Sequence, residues 1–257
     1  MALTLDHVIL AVDDLEAASA TMRAEGFTVV PGGVHGNGAT QNNLIIFEDG
    51  TYIELLAPTG QAPGDAAGYA PLLAKGEGWS GFVLRSDNLK KDLQALRSRG
   101  VPVGDAAPGS RVLPSGEAIR WQAAMIPETY SPFFIQDETP RGLRVPDSKP
   151  VVTHRNGVTG AIGLVVVVAA LEEAIARYRS LLGVLPRLDE SEAVFDLRGL
   201  TLRLTEPGDD ADKREHLDAR GDVPYQLILR SRDLRPIGSP TRKVLGARID
   251  IAPRLAS

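Results

Sequence analysis

Residues 3–15 read LTLDHVILAVDDL, an apolar run that carries one histidine, His7, and closes on Asp13, Asp14 and Leu15. Gly26 stands 11 steps beyond Leu15, and Phe27 then opens a second apolar run. The same grammar returns at Gly81 (GFVLRSDNL), with 11 steps from Leu89 to Gly100. It returns at Gly163 (GLVVVVAAL), with 12 steps from Leu171 to Gly183, and a shortened copy starts at Tyr225 (YQLILRSRDL). A recurring unit decides the architecture before any single residue does. Alternation makes the opening run a strand, with His7, Ile9 and Ala11 on one face and Val8, Leu10 and Val12 on the other. Asp13 or Asp14 caps the helix that follows, because a short carboxylate accepts from its free N–H groups. Leu15, Ala18 and Met22 form that helix's apolar stripe, and Gly26 supplies a left-handed end. Strands are expected over 27–30, 42–47 and 51–57, the last two joined by the turn Glu48-Asp49-Gly50. The unit is βαβββ and the fold class is α+β.

Four such copies organise the chain. Residues 1–140 hold the first two, in one half. Residues 141–160 are rich in Pro, Gly and charge and read as a linker. Residues 161–257 hold the third copy and an eroded fourth, which has no room for a full helix before a last strand near 247–252. Residues 206–222 carry seven acidic and three basic residues and suggest a solvated loop or short helix.

Composition narrows the function. Hydrophobic residues make up 43% of the 257, but no apolar run approaches the ~18 residues of a membrane span. The first strand begins almost at once, with no basic segment or cleavage site before it, so a cytoplasmic protein is expected. There is no cysteine, which rules out disulfides, thiolate metal ligands and a Cys nucleophile. A net charge of −5 without a basic block argues against nucleic acid, which needs clustered Lys and Arg. The expected partner is a small molecule; a homodimer stays open.

The paired βαβββ units, the opening LDHVILAVDDLEAA and the closing YIELLAP resemble the vicinal oxygen chelate superfamily of glyoxalases, bleomycin-resistance proteins and extradiol dioxygenases. More narrowly, HGNGATQNNLIIFEDGTYIELLAP resembles the glyoxalase-like domain group. There a His-Pro-x-x-Gly-Thr-x-Asn-like loop precedes a strand ending Tyr-Leu-Glu-Leu. His35, Gly38, Thr40 and Asn42 echo that loop, although Gly36 replaces the Pro. THRNGVTGAIGL is similar to the group's lead into its second half. The resemblance implies a cup of strands with a divalent ion held by the first and last strands of paired repeats. Such an ion would keep open positions for two substrate oxygens.

Counting eight residues back from each helix-opening Leu places His7, Gly81, Gly163 and Gln226 at the first-strand position. The last-strand positions are Glu54, then Gln136 by matching YIE with FIQ, then Arg203. His7, Glu54 and Gln136 are thus the expected metal ligands, with Glu54 doubling as a catalytic base. Zinc, nickel, manganese or iron would suit N and O donors, while an amide oxygen is a weak ligand; a cofactor-free site is equally open. The second half, with Gly163 and Arg203, lacks that site. The segment Gly32–Asn43 is too Gly-rich for regular structure and reads as a movable loop bringing His35, Thr40 and Asn42 to a substrate. Trp121 and Phe134 are expected on the cup wall. His154 is expected to brace the two halves, and His216 to be solvated. The resemblance implies an enzyme acting on a small oxygenated metabolite, of lyase, isomerase or dioxygenase type. The alternative is a metal-free protein that sequesters a small molecule in the same cup.

Overall fold

The computed structural model describes residues 3–61, 70–127, 132–189, 191–233 and 241–253. Repeat one comprises β1 (Thr4–Ala11), α1 (Leu15–Ala24), β2 (Val30–His35), β3 (Thr40–Ile46) and β4 (Tyr52–Pro58). One turn, α2 (Ala70–Leu73), precedes repeat two: β5 (Gly78–Arg85), α3 (Leu89–Ser98), β6 (Ala107–Val112), β7 (Ala118–Ala124) and β8 (Phe133–Asp137). The short helices α4 (Arg141–Arg144) and α5 (Lys149–Val152) lead to repeat three. That repeat comprises β9 (Val158–Val167), α6 (Leu171–Leu182), β10 (Arg187–Asp189), β11 (Glu192–Leu197) and β12 (Leu200–Thr205). Helix α7 (Ala211–Arg220) separates it from β13 (Pro224–Ser231), β14 (Thr241–Val244) and β15 (Ala247–Ala252).

The two halves close differently. The first is a closed barrel in the order β1-β4-β3-β2-β6-β7-β8-β5, and the second is a seven-stranded sheet in the order β10-β11-β12-β9-β13-β15-β14. Within each repeat the first and last strands pair in parallel, His7 with Tyr52 and Ile9 with Glu54 in repeat one. The central seam is β1 against β5, antiparallel, with Ile9 opposite Gly81 and His7 opposite Val83.

Alternation sorts the side chains as expected. Val8 and Leu10 point outward into a core that continues through Phe82, Leu84, Leu164, Val166, Leu227 and Leu229. The barrel's outer surface and one face of the second sheet therefore share one apolar interior. Asp14 is the cap of α1: its Oδ1 accepts from the backbone N–H of Glu16 and Ala17, both at 2.9 Å. Gly26 takes φ +88°, where a side chain would be strained. No helix among the described residues is long and apolar enough to cross a membrane.

Two expectations are corrected. Gly32–Asn43 is not a loop: most of it is β2 and β3, paired with each other and joined by a short turn. Gly32, Gly33 and Gly36 serve close approach, and Gly38 takes φ +72° in the turn. A Cβ on Gly33 would lie 1.9 Å from the Val112 carbonyl oxygen, and one on Gly36 would lie 2.1 Å from Ser110 Oγ, so only Gly lets β2 sit against β6. The segment 141–160, which joins the two halves, is packed along its length, with Arg144, Val145, Val152, His154 and Asn156 all buried. His216 is half-buried, because α7 lies down on the second sheet and turns its ring against Tyr225.

His154 is fixed between backbone groups of the first half. Its Nδ1 accepts from the Thr28 N–H at 3.0 Å, and its Nε2 lies 3.0 Å from the Ile46 carbonyl, to which it donates. Three residues on, Gly157 bonds to Arg232 of the second half, so the segment does brace the two.

Candidate functional site

Inside the first barrel lies a cavity of about 140 Å³, lined by His7, Ile9, His35, Thr40, Asn42, Tyr52, Glu54, Leu56, Arg111, Trp121, Phe133, Ile135 and Arg144. Alternation along β1 and β4 aims His7 and Glu54 at each other, with His7 Nε2 3.2 Å from Glu54 Oε2. The other Glu54 oxygen accepts from Asn42 Nδ2 at 2.5 Å and lies 3.6 Å from His35 Nε2. His35 Nδ1 lies 2.7 Å from Thr40 Oγ1. The structure thus brings together five of the residues singled out from sequence: His7, His35, Thr40, Asn42 and Glu54. Trp121 joins them, its ring edge-on to His35 at 6.1 Å. The indole occupies space that a Cβ on Gly109 would fill, 2.2 Å from Nε1.

Two expected residues lie elsewhere. Phe134 is fully buried in the outer core, and its neighbour Phe133 lines the cavity instead. Gln136 shares Phe134's face and points to α3, where its Oε1 accepts from the Leu89 N–H at 2.6 Å. The alignment of YIE with FIQ was out of register. The Val12 N–H bonds to the Leu56 carbonyl in repeat one, and the Ser86 N–H bonds to the Ile135 carbonyl in repeat two. These equivalent bonds match Leu56 with Ile135 and so Glu54 with Phe133.

Behind His7 is a group that the sequence reading missed. Asp6 Oδ1 lies 2.8 Å from His7 Nδ1. Simple alternation puts Asp6 on the opposite face from His7, but the β1–β5 register slips between Leu5 and His7. A bulge of this kind re-aims a side chain. Asp6 in turn meets Arg144 at 2.8 Å and Arg141 at 2.5 Å. Arg144 also holds Asp137 at 2.5 Å and donates to the Tyr52 hydroxyl at 2.7 Å. The Tyr52 ring stacks on the His7 imidazole at 4.4 Å. Arg111 on β6 completes the wall, donating to Asn42 Oδ1 at 3.0 Å and to the Arg144 carbonyl at 3.3 Å. No sequence motif marks Arg111 or Arg144. The one signal for Asp6 is its place beside His7 in LDHVIL.

Electrostatics gives the groups separate roles. Burial opposes charge on His7, but hydrogen bonds to Asp6 and Glu54 outweigh it and raise its pKa. Burial likewise opposes charge on Glu54, yet the His7 hydrogen bond, the His7 charge and, when it is protonated, His35 bring its pKa down to about 2. Asp6 is held well below the usual range, because Arg144 and His7 outweigh burial. His35 goes the other way: burial, with smaller help from Arg111 and His7, lowers its pKa and keeps it neutral. The site is therefore an imidazolium clamped between two carboxylates, with a neutral imidazole beside it.

The metal implied by the resemblance does not fit this donor set. Both His7 nitrogens are turned to carboxylates. The equivalent positions in repeat two are Gly81, which has no side-chain donor, and Phe133. Gln136 faces away. Among the described residues no group of three or more His, Asp or Glu side chains has the arrangement to hold an ion.

Comparison with known proteins agrees with the architecture. Across 98% of this chain and 100% of the other, a hypothetical protein from Staphylococcus aureus superposes with TM-score 0.76 at 18% identity. A mutant of 4-hydroxymandelate synthase from Streptomyces coelicolor matches with TM-score 0.60 at 13% identity, covering 89% of this chain and 71% of that one. A xylose isomerase-like TIM barrel/4-hydroxyphenylpyruvate dioxygenase fusion protein matches with TM-score 0.57 at 16% identity, covering 90% of this chain and 36% of that one. At these identities the likeness concerns fold. No curated protein matches the sequence. The glyoxalase-like domain family matches residues 5–182, from β1 through α6. The chain belongs to the glyoxalase-like domain family and has the vicinal oxygen chelate fold.

Proposed function

We propose that the first barrel binds a small oxygenated metabolite and moves a proton on it, as a lyase or isomerase would. The supporting observation is the buried Glu54 carboxylate set between two imidazoles, His7 at 3.2 Å and His35 at 3.6 Å. His35 is the proton acceptor in this reading. In the tautomer that donates Nδ1–H to Thr40, the Nε2 lone pair is free. A proton taken there lands beside Glu54, whose negative charge stabilises the new imidazolium. His7, already charged and stacked on Tyr52, holds Glu54 ionised and fixed. Ile9, Leu56, Phe133 and Ile135 supply apolar wall that keeps water from competing. The dioxygenase and metal-lyase alternatives call on donors that Gly81 and Phe133 do not carry.

The test is solvent exchange followed by proton NMR in D2O. The panel is two- to four-carbon aldehydes, ketones and acids that carry oxygen on adjacent carbons. Deuterium should enter at the carbon beside the carbonyl, and Glu54→Gln and His35→Gln should each slow this by about 100-fold or more. Saturable binding with no exchange for any member would overturn proton transfer and leave the sequestering protein.

A further inference from the structure

We propose that Arg111 is the receptor for a carboxylate on the ligand of the first barrel, an inference that rests on this cavity being the ligand site. Arg111 lines the cavity and is only 3% exposed. A buried cation demands a counter-charge. The other charges around the cavity have theirs. Asp6 and Asp137 are taken by Arg141 and Arg144, and Glu54 is taken by His7 and Asn42. Arg111 has no carboxylate in ion-pair contact among the described residues; its neighbours are the neutral oxygens of Asn42 and the Arg144 backbone. Its Nε is buried and has no acceptor.

The surroundings are built for this side chain. A Cβ on Gly32 would come within 2.9 Å of an Arg111 terminal nitrogen and 2.0 Å of Asn42 Oδ1, and one on Gly33 would lie 3.3 Å from Arg111 Cγ. The Gly-Gly pair in PGGVH thus reserves the slot that the guanidinium and the Asn42 amide occupy. Asn42 then couples the two ends of the site, accepting from Arg111 and donating to Glu54. Its amide orientation is fixed by those two demands. Arg111 is opposite His35 in the β2–β6 register. A carboxylate held there would sit on the same barrel wall as the imidazole proposed to take the proton.

The chemistry selects a carboxylate of few carbons. A fixed guanidinium with spare N–H groups matches a planar carboxylate in two-pronged fashion. The cavity, about 140 Å³, is well below the ~300 Å³ at which drug-sized sites begin. The ligand class that follows is a short 2-oxo or 2-hydroxy acid, its carboxylate on Arg111 and its neighbouring oxygen towards His35 and Glu54.

The experiment titrates the whole protein with pyruvate, glycolate, pyruvamide and inorganic phosphate. Ligand-observed NMR and the shift in melting temperature report binding. Pyruvate or glycolate should bind at least 10-fold more tightly than pyruvamide, which keeps the carbonyl and loses the charge. Arg111→Met should abolish that preference, and Arg111→Lys should retain part of it. Equal affinity for pyruvate and pyruvamide, tighter binding of phosphate, no binding of any probe, or an undiminished preference in Arg111→Met overturns the proposal. If Arg111→Met fails to fold, the wild-type comparison of pyruvate with pyruvamide still decides. Solvent exchange on wild type separates the two readings. Exchange as fast on hydroxyacetone as on pyruvate sinks the carboxylate receptor and leaves proton transfer. Carboxylate-selective binding without exchange does the reverse.

Discussion

The same strand positions carry opposite chemistry in the two halves. In the barrel, the first and last strands of repeat one present His7 and Glu54 to a cavity. In repeat three the equivalent pair is Gly163 and Arg203. Gly163 is covered: a Cβ there would lie 3.0 Å from the Ile228 side chain. Arg203 turns to Glu192 at 3.3 Å on the neighbouring strand, where both side chains are substantially exposed. On the same face Leu217 of α7 packs against Val165, Val167 and Tyr225, and the polar residues in register with Val165, namely Arg203, Gln226 and Arg248, are all partly or fully exposed. The second sheet keeps its strand order and outer core with no buried charged side chain among the described residues. The buried charges of the first barrel are therefore not what the fold requires. Burying ionised groups opposes folding unless each is paired, so their presence, among the described residues, in one half alone supports the proposal that this half binds the ligand.

That contrast is sharpest in the arginines. Arg144→Met removes the more buried of the two arginines that pair with Asp6 and Asp137, leaving Arg141 alone to both, and breaking a buried network of this kind costs about 3–5 kcal/mol. Arg203→Met breaks an exposed pair and should cost below about 1 kcal/mol. Urea unfolding of the two variants against wild type checks both, and similar losses would break the comparison. Next in size is Glu54→Gln. Exchange should fall by about 100-fold or more, whereas unfolding free energy should move less than in Arg144→Met, because His7 keeps Asp6. A stability loss that matches Arg144→Met with exchange unchanged would make Glu54 a structural residue.

The repeat was legible in sequence because it rests on local chemistry. Asp14 as cap, Gly26 as helix end, and the outward Val8 and Leu10 all follow from nearest-neighbour rules. So did the His7 and Glu54 pairing, since alternation is reliable on strands whose other face is buried. What stayed hidden depends on long-range register. Matching YIE with FIQ places Gln136 three residues out of register, Phe134 is placed only by lying on an expected inner strand, and a slip by any odd number of residues moves every side chain to the other face. Asp6 was hidden by a bulge. Arg111 and Arg144 come from β6 and a short helix that only the closed barrel brings to His7. The Gly-rich segment misled because glycine serves close packing as well as mobility.

Titration should divide the histidines. The folded state raises the His7 pKa above its usual 6.5. The stability His7 contributes is thus fully present below pH 6.5 and is lost as pH rises through the raised value. His216 in the second half is the reverse: burial lowers its pKa to about 4. The folded state resists its protonation, so stability falls as pH drops from 6.5 towards 4. Melting temperature against pH should lose its alkaline decline in His7→Gln and part of its acidic decline in His216→Gln. Identical profiles for the two variants would remove the electrostatic distinction between the halves.

The smallest expected effect tests whether α7 is filler or function. Its residues are all exposed or half-exposed, and Leu217 provides its apolar contact with the sheet. Three arginine contacts tie down the helix and its end. Arg248 pairs with Asp212 at 2.7 Å, Arg177 pairs with Asp222, and Arg220 donates to the Trp79 carbonyl of the first half at 3.2 Å. Truncating a half-buried Leu should cost about 1 kcal/mol, less than the 2–5 of a fully buried one. Leu217→Ala should therefore lower stability slightly and leave pyruvate binding and solvent exchange at wild-type values. Its contacts lie on β9 and β13, and none of them lines the first-barrel cavity. A change in exchange rate or in carboxylate affinity in Leu217→Ala would show that the second half controls the first, and the division of labour between a working barrel and a filled sheet would no longer hold.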